Sequence, residues 1–229
     1  MNGPSEITLV ILAGGKGMRL KELEPNRPKP MILVKGKPFL HWLVQHYVTL
    51  GFRKFILSTC HMAEIIENYE WSGFFPEATF SFERETTPLG TGGAVRAIFS
   101  KWQSLSGAWI INGDTLLPQP LPAFPDNLEA LYTVLAPDQL FDATPNLVAD
   151  GNFIVAEQAN GHYFDAGALY MTRRAINRYK GKVPCSTHAL LAPAMELKHV
   201  GYRLVPGTCY DIGTPERYKR FEKFLGGSI

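Results

Sequence analysis

Apolar positions in the first half of the chain fall into short dense runs separated by longer amphipathic stretches. Ile7 to Leu12 is almost unbroken and rich in β-branched residues, the pattern of a strand buried on both faces, and it ends in Ala13-Gly14-Gly15-Lys16-Gly17. Pro38 to Leu50 puts Leu40, Leu43, Val44 and Tyr47 on one helical face, with Pro38 in the first turn and Gly51 as the stop. The alternation continues. Strands are predicted at Lys54 to Ser58, Thr79 to Glu83 and Ala108 to Asn112, with helices at Met62 to Tyr69 and Gly92 to Lys101. A β-α-β-α rhythm of this kind builds a mostly parallel sheet with helices on both faces.

The rhythm changes beyond Pro118 to Pro125, which reads as a loop within the domain. Ala130 to Leu135 is a predicted strand. Leu147-Val148-Ala149 and Phe153-Ile154-Val155 flank Asp150-Gly151, a hairpin signal, and Asn160-Gly161 marks a turn before a strand at Ala168 to Met171. Arg173 to Tyr179 and Thr187 to Lys198 read as helices, Tyr202 to Pro206 and Cys209 to Ile212 as short strands. Pro215 opens a last helix that runs to about Leu225. No repeat or low-complexity linker interrupts this order, so residues 1–229 are expected to form a single domain.

Composition narrows the function classes. The chain is 45% hydrophobic and 19% charged, which excludes a disordered chain. The formal net charge of +2 gives no support for nucleic-acid or membrane-surface binding, and neither partner is expected. The longest apolar stretches are far short of the ~20 residues of a membrane helix, and the N-terminus lacks the charged and apolar regions of a secretory leader. Cys60, Cys185 and Cys209 have no metal spacing and read as reduced thiols of a cytoplasmic protein. The six histidines, His41, His46, His61, His162, His188 and His199, read as ordinary surface or core residues. Trp71-Ser72-Gly73-Phe74-Phe75-Pro76 is open to two readings, a packed loop or a subunit contact of a homodimer.

The glycine-rich turn after the first strand carries the candidate chemistry. Its glycines allow a ligand close to the backbone, and successive amides form an anion-binding concavity. It is not a P-loop, which needs Gly-x4-Gly-Lys-Ser/Thr. Nor is it a dinucleotide fingerprint, because Leu20 stands where the third glycine is required. Lys16, Arg19 and Lys29 bring three cations near this strand end.

Leu12-Ala-Gly-Gly-Lys-Gly-Met-Arg-Leu20 followed by Pro28-Lys29-Pro30-Met31 resembles the signature of the sugar-1-phosphate nucleotidylyltransferases. Further segments match in the family's order: Glu85-Thr86-Thr87-Pro88-Leu89-Gly90-Thr91-Gly92-Gly93-Ala94, Asn112-Gly113-Asp114, and Asp211-Ile212-Gly213-Thr214-Pro215-Glu216-Arg217-Tyr218. Within the family the chain looks most like the short bacterial heptose 1-phosphate guanylyltransferases of capsule and surface-polysaccharide pathways. The resemblance implies a Rossmann-like, GT-A-like α/β fold with a mixed sheet, nucleotide on the N-terminal half and sugar on the C-terminal half. It implies that GTP and a sugar 1-phosphate react to give a GDP-sugar and pyrophosphate with Mg²⁺. The residues it assigns are Leu12, Ala13, Gly14, Gly15, Lys16, Gly17, Glu85, Pro88, Gly90 and Thr91 to the nucleotide. Arg19 and Lys29 go to catalysis, Asp114 and Asp211 to the metal, and Asn112, Glu157, Asp165 and Gly167 to the sugar.

Three positions depart from the family pattern. Glu157-Gln158 stands where many relatives have Glu-Lys, Asp165-Ala166-Gly167 where they have Asn-Ala-Gly, and Met18 where Thr or Ser is usual. The sugar phosphate would then fall to Lys29 or to another cation such as Arg173. Two other functions stay open on the sequence: a uridylyltransferase acting on N-acetylmuramic acid 1-phosphate or another hexose 1-phosphate, and a catalytically impaired nucleotide-sugar sensor.

Overall fold

The buried run at the N-terminus becomes β1 (Thr8–Leu12), with Leu9, Val10 and Ile11 fully enclosed. A computed structural model describes residues 3–15, 26–139 and 144–227. After β1 come a small hairpin of β2 (Leu33–Val34) and β3 (Lys37–Pro38), then α1 (Phe39–Thr49), β4 (Lys54–Thr59), α2 (Ala63–Glu67), α3 (Trp71–Phe74) and β5 (Thr79–Arg84). Next are α4 (Gly90–Lys101), β6 (Gly107–Asn112), β7 (Thr115–Leu116), β8 (Ala130–Leu135), β9 (Leu147–Asp150), β10 (Phe153–Glu157) and β11 (Phe164–Thr172). The chain closes with α5 (Arg173–Arg178), α6 (Thr187–Glu196), β12 (Val200–Leu204), β13 (Tyr210–Asp211) and α7 (Pro215–Gly226). No helix among the described residues is long and apolar enough to cross a membrane.

The chain groups into two units. An N-terminal unit holds 2–88, 111–118 and 209–229, and a central unit holds 89–110 and 119–208. In the N-terminal unit β1, β4 and β5 are parallel and in step: Leu12 pairs with Ser58, and Thr59 with Arg84. Their carboxyl ends therefore finish level. In the central unit β8 pairs antiparallel with β11 and parallel with β12, and β10 runs antiparallel to both β12 and β9. The sheet is thus mixed, with helices between its strands. Gly151, at φ +58, makes the β9–β10 turn.

The aromatic run is a packed helical turn. Trp71 and Phe75 are buried, and Trp71 stacks on Phe80 at 5.4 Å between ring centroids. The indole N–H donates to the Ile66 carbonyl at 2.8 Å. His41 is buried beside these rings, contacting Lys37 and the Tyr69 hydroxyl. Burial first, then the Lys37 charge, lowers its pKa to about 4.

Arg173 has a different task from the one open to it on the sequence. Its guanidinium donates to the carbonyls of Leu105, Phe99 and Trp102, each at 2.8 Å, and so ties the end of α4 to the start of α5. A group committed to three carbonyls is not a spare phosphate cation. Arg173→Ala should leave these carbonyls without their donor and cost about 2–3 kcal/mol, and a lysine recovers only part of it, lacking the planar fork. Calorimetry should show a melting temperature lowered by roughly 4–10 °C. An unchanged transition would refute the clamp.

Candidate active site

Parallel strands that end level leave their next residues side by side at the carboxyl edge, where α/β folds bind ligands. In the N-terminal unit the ladder runs one residue further. The Ala13 N–H donates to the Ser58 carbonyl and the Glu85 N–H to the Thr59 carbonyl, both at 2.8 Å. Gly14, Cys60 and Glu85 are thereby brought together. A Cβ on Gly14 would lie 3.0 Å from the Cys60 Cβ and 3.6 Å from Glu85 Oε1. The Glu85 carboxylate therefore lies beside a bare stretch of backbone, while Gly15 faces open space. The buried Ser58 hydroxyl donates to Glu85 Oε1 at 3.3 Å. The sequence does not single out Ser58, because a serine closing an apolar strand carries no local signal.

Asn112 and Gly113 carry the chain out of β6. The Gly113 N–H donates to the Leu12 carbonyl at 3.0 Å, and a Cβ there would sit 2.6 Å from that oxygen. Glycine is required for this approach. Asp114 follows. Its Oδ1 accepts from the Thr115 hydroxyl at 3.1 Å, and its Oδ2 forms an ion pair with Lys29 Nζ. Lys29 stands in a tight turn fixed by the Met31 N–H donating to the Pro28 carbonyl at 2.8 Å, with Pro30 and Met31 buried beneath it.

Asp211 reaches the same place on a second ladder. β13 pairs antiparallel with β7, Asp211 opposite Thr115, and the Ile212 N–H donates to the Asp114 carbonyl at 3.3 Å. The Asp211 carboxylate accepts from the Gly213 N–H at 2.7 Å and from Arg217 Nη1 at 3.0 Å. Tyr218, next to Arg217 on α7, donates its hydroxyl to the Leu33 carbonyl at 2.8 Å. Lys16, Gly17 and Arg19 lie outside the described residues.

Among the described residues no group of three or more His, Cys, Asp or Glu side chains is placed to hold a metal ion. Asp114, just before β7, and Asp211, on the paired β13, are hard oxygen donors, a set that suits a divalent cation sharing its shell with substrate oxygens. Asp114 would exchange Lys29 for the cation, and Asp211 would have to give up Arg217.

In the central unit the second glycine-rich segment is stapled to the chain before α6. The Gly92 and Gly93 N–H groups donate to the Cys185 carbonyl at 2.9 and 3.3 Å, and the Thr91 hydroxyl oxygen accepts from the Thr187 N–H at 3.1 Å. Gly90 has φ +72, and a Cβ on Gly92 would meet the Ser186 carbonyl oxygen at 2.2 Å. Pro88 lies exposed in the N-terminal unit.

Glu157 closes β10 and Asp165 lies near the start of β11. The β8–β11 register shifts between Asp165 and Leu169, a bulge that Gly167 relieves at φ +83. Asp165 Oδ1 accepts from the Gly167 N–H at 2.8 Å. Asn146, which the sequence does not single out, donates to Glu157 Oε1 at 3.0 Å and accepts from the Asp165 N–H at 3.2 Å. Burial pushes the Asp165 pKa up to about 6; the Gly167 N–H pulls it back down, and the Glu157 charge adds to the rise.

A raised carboxyl pKa is a cost to the folded state that is complete above about pH 6 and gone below the unfolded value near pH 4. Asp165→Asn keeps an acceptor for Gly167. It should therefore stabilise the protein by about 1–2 kcal/mol at pH 8, after discounting for partial exposure, and by nothing near pH 4. Urea melts of both proteins at the two pH values measure this, and a pH-independent difference would contradict it.

The sequence signature of the nucleotidyl transferase family matches residues 8–134. The chain is 29% identical to D-glycero-alpha-D-manno-heptose 1-phosphate guanylyltransferase of Aneurinibacillus thermoaerophilus over 94% of this chain and 97% of that one. It is 26% identical to the protein of the same name from Campylobacter jejuni, over 93% and 97%. HddC from Yersinia pseudotuberculosis, in its crystal structure complexed with GMP-PN, superposes with a TM-score of 0.77 at 25% identity, over 96% of this chain and 99% of that one.

Proposed function

The chain belongs to the nucleotidyl transferase family, and from that premise we propose that it transfers GMP from GTP to a manno-heptose 1-phosphate. The products are a GDP-sugar, destined for capsule or surface polysaccharide, and pyrophosphate, made in the cytoplasm where GTP is held. The observation that carries the guanylyl reading is the Glu85 carboxylate beside Gly14 at the strand edge. Guanine presents N1–H and its N2 amino group side by side, and a carboxylate offers two acceptors at matching spacing. Uracil and thymine present one N3–H between two carbonyls, one of which a carboxylate would repel.

An oxygen of the acceptor phosphate attacks the α-phosphorus. The bond from that phosphorus to the bridging oxygen breaks, and pyrophosphate leaves with the electron pair. The acceptor is already an anionic nucleophile, so the protein's work is positioning and charge neutralisation. Lys29 neutralises the phosphate oxygens at the transfer point, and Arg19 the charge growing on the leaving pyrophosphate. Gly14 and Gly15 give the nucleotide close access to backbone. Asp114 and Asp211 would hold Mg²⁺, which supplies Lewis-acid polarisation of the phosphates. Asn112, Glu157, Asp165 and Gly167 bind the sugar.

Lys29→Ala and Asp114→Ala should each lower kcat by ~10²-fold or more while circular dichroism stays unchanged. Pyrophosphate release measured with GTP and manno-heptose 1-phosphate at saturating Mg²⁺ reads this directly. A near-normal rate in either variant would remove that residue from the mechanism.

The base assignment has its own test. kcat/KM should be higher for GTP than for UTP or dTTP. Glu85→Gln should erode the preference by roughly 5- to 150-fold, because a guanine donor then faces an amide donor, at about 1–3 kcal/mol. Preference for UTP in the unaltered enzyme would overturn the guanylyl reading.

A further inference from the structure

Resting on the reading above, we propose that Asn146 and His188 are positioning residues. They hold Glu157, with Asp165 beside it, as a hydrogen-bond-accepting face for the hydroxyls of an uncharged sugar, and this face turns away sugars that carry a carboxylate.

Asn146 is the hub. Its side-chain N–H donates to Glu157 Oε1 at 3.0 Å while its side-chain oxygen accepts from the Asp165 N–H at 3.2 Å. Its backbone is fixed at both ends, the N–H donating to the Tyr163 carbonyl at 3.0 Å and the carbonyl accepting from the Gln158 N–H at 2.9 Å. One amide thus ties the Glu157 carboxylate to the backbone at Asp165, on a different strand.

His188 approaches from the other side. It stands in the first turn of α6, whose Ser186 cap accepts from the Ala189 N–H at 3.1 Å. The segment before it is stapled to the first turn of α4 at Gly92 and Gly93. Its Nδ1 is buried, has no hydrogen-bond partner, and lies 3.6 Å from Glu157 Oε2. That is too long for a hydrogen bond and within ion-pair range. Each Glu157 oxygen thus has one side-chain nitrogen close to it, Asn146 Nδ2 at 3.0 Å and His188 Nδ1 at 3.6 Å.

What is missing from the cluster is equally specific. Among the described residues neither Glu157 nor Asp165 is ion-paired with a lysine or arginine, and the residue after Glu157 is Gln158. The remaining capacity of the face is acceptor capacity on carboxylates. Sugar hydroxyls donate to it with charge assistance. A carboxylate on the sugar would meet the like charges of Glu157 and Asp165, with no lysine or arginine paired to either among the described residues, which is discrimination by repulsion.

The test uses α-D-mannose 1-phosphate and α-D-mannuronate 1-phosphate, which differ at C6 alone, binding to the full chain in the presence of Mg²⁺ and a non-hydrolysable GTP analogue. Calorimetry should give a Kd at least ~10-fold weaker for mannuronate 1-phosphate, and Glu157→Gln should narrow that gap. Asn146→Ala and His188→Ala should each weaken mannose 1-phosphate by roughly 5- to 20-fold with the Kd of the GTP analogue unchanged, and His188→Gln should restore most of the loss. Equal affinity for the two sugars overturns the proposal. So does a parallel loss of GTP-analogue affinity in the alanine variants, which would mark a merely structural role. Pyrophosphate release measured alongside separates the parent reading: transfer from UTP and not GTP refutes that reading, while the ratio of the two sugar affinities still decides this one.

Discussion

The approach of Gly113 to the Leu12 carbonyl is the contact on which the N-terminal half of the site depends. The N–H lies 3.0 Å from that oxygen, and any Cβ would press to 2.6 Å. A side chain there would push residues 111–118 away from β1. That would carry Asp114 off Lys29, and Thr115 off its pairing with Asp211. The contact works because β1, β4 and β5 end in register, so the glycine turn, Cys60 and Glu85 meet at one level. Strand pairing, one close glycine and a two-residue ladder therefore assemble groups drawn from six separate stretches of chain.

Much of this frame is legible in the sequence, for a physical reason. A buried parallel strand needs an unbroken apolar run, so β1, β4 and β8 stand within a residue of their predicted limits. The β9–β10 hairpin is legible because Gly151 supplies the positive φ that its turn needs. Local pattern fails where partners decide. β12 begins at Val200 rather than Tyr202 because Val200 pairs with Ala130 in β8, and α6 stops at Glu196 ahead of Lys198, which adopts φ +55. The site divides the same way. Lys29 and Asp114 are far apart in the chain, and only the resemblance of their motifs joins them before the fold is known. Ser58 and Asn146 have no motif at all. Arg173 reads as a free cation in the sequence, because no sequence shows that its donors are spent on three carbonyls.

The two carboxylate groups are balanced in opposite ways, and this matches the chemistry assigned to each. In the N-terminal unit Asp114 is paired with Lys29 and Asp211 with Arg217. Before a nucleotide arrives, such pairs leave no bare charge at the strand edge, so the resting fold avoids most of the cost of an unpaired, partly buried ion. A polyphosphate with its divalent cation brings both signs at once. It can take over the cations from the carboxylates and the carboxylates from the cations, so charge is exchanged rather than stranded. In the central unit the Glu157 carboxylate is held by the Asn146 amide and the Asp165 carboxylate by the Gly167 N–H instead, with burial raising the Asp165 pKa to about 6. Neutral donors fix their geometry without cancelling their charge. A site meant for phosphate would need the lysine that this chain lacks after Glu157, whereas a site meant for hydroxyls is better without it. The Gln158 and Asp165 departures from the family pattern thus point the same way, each making the face more acidic.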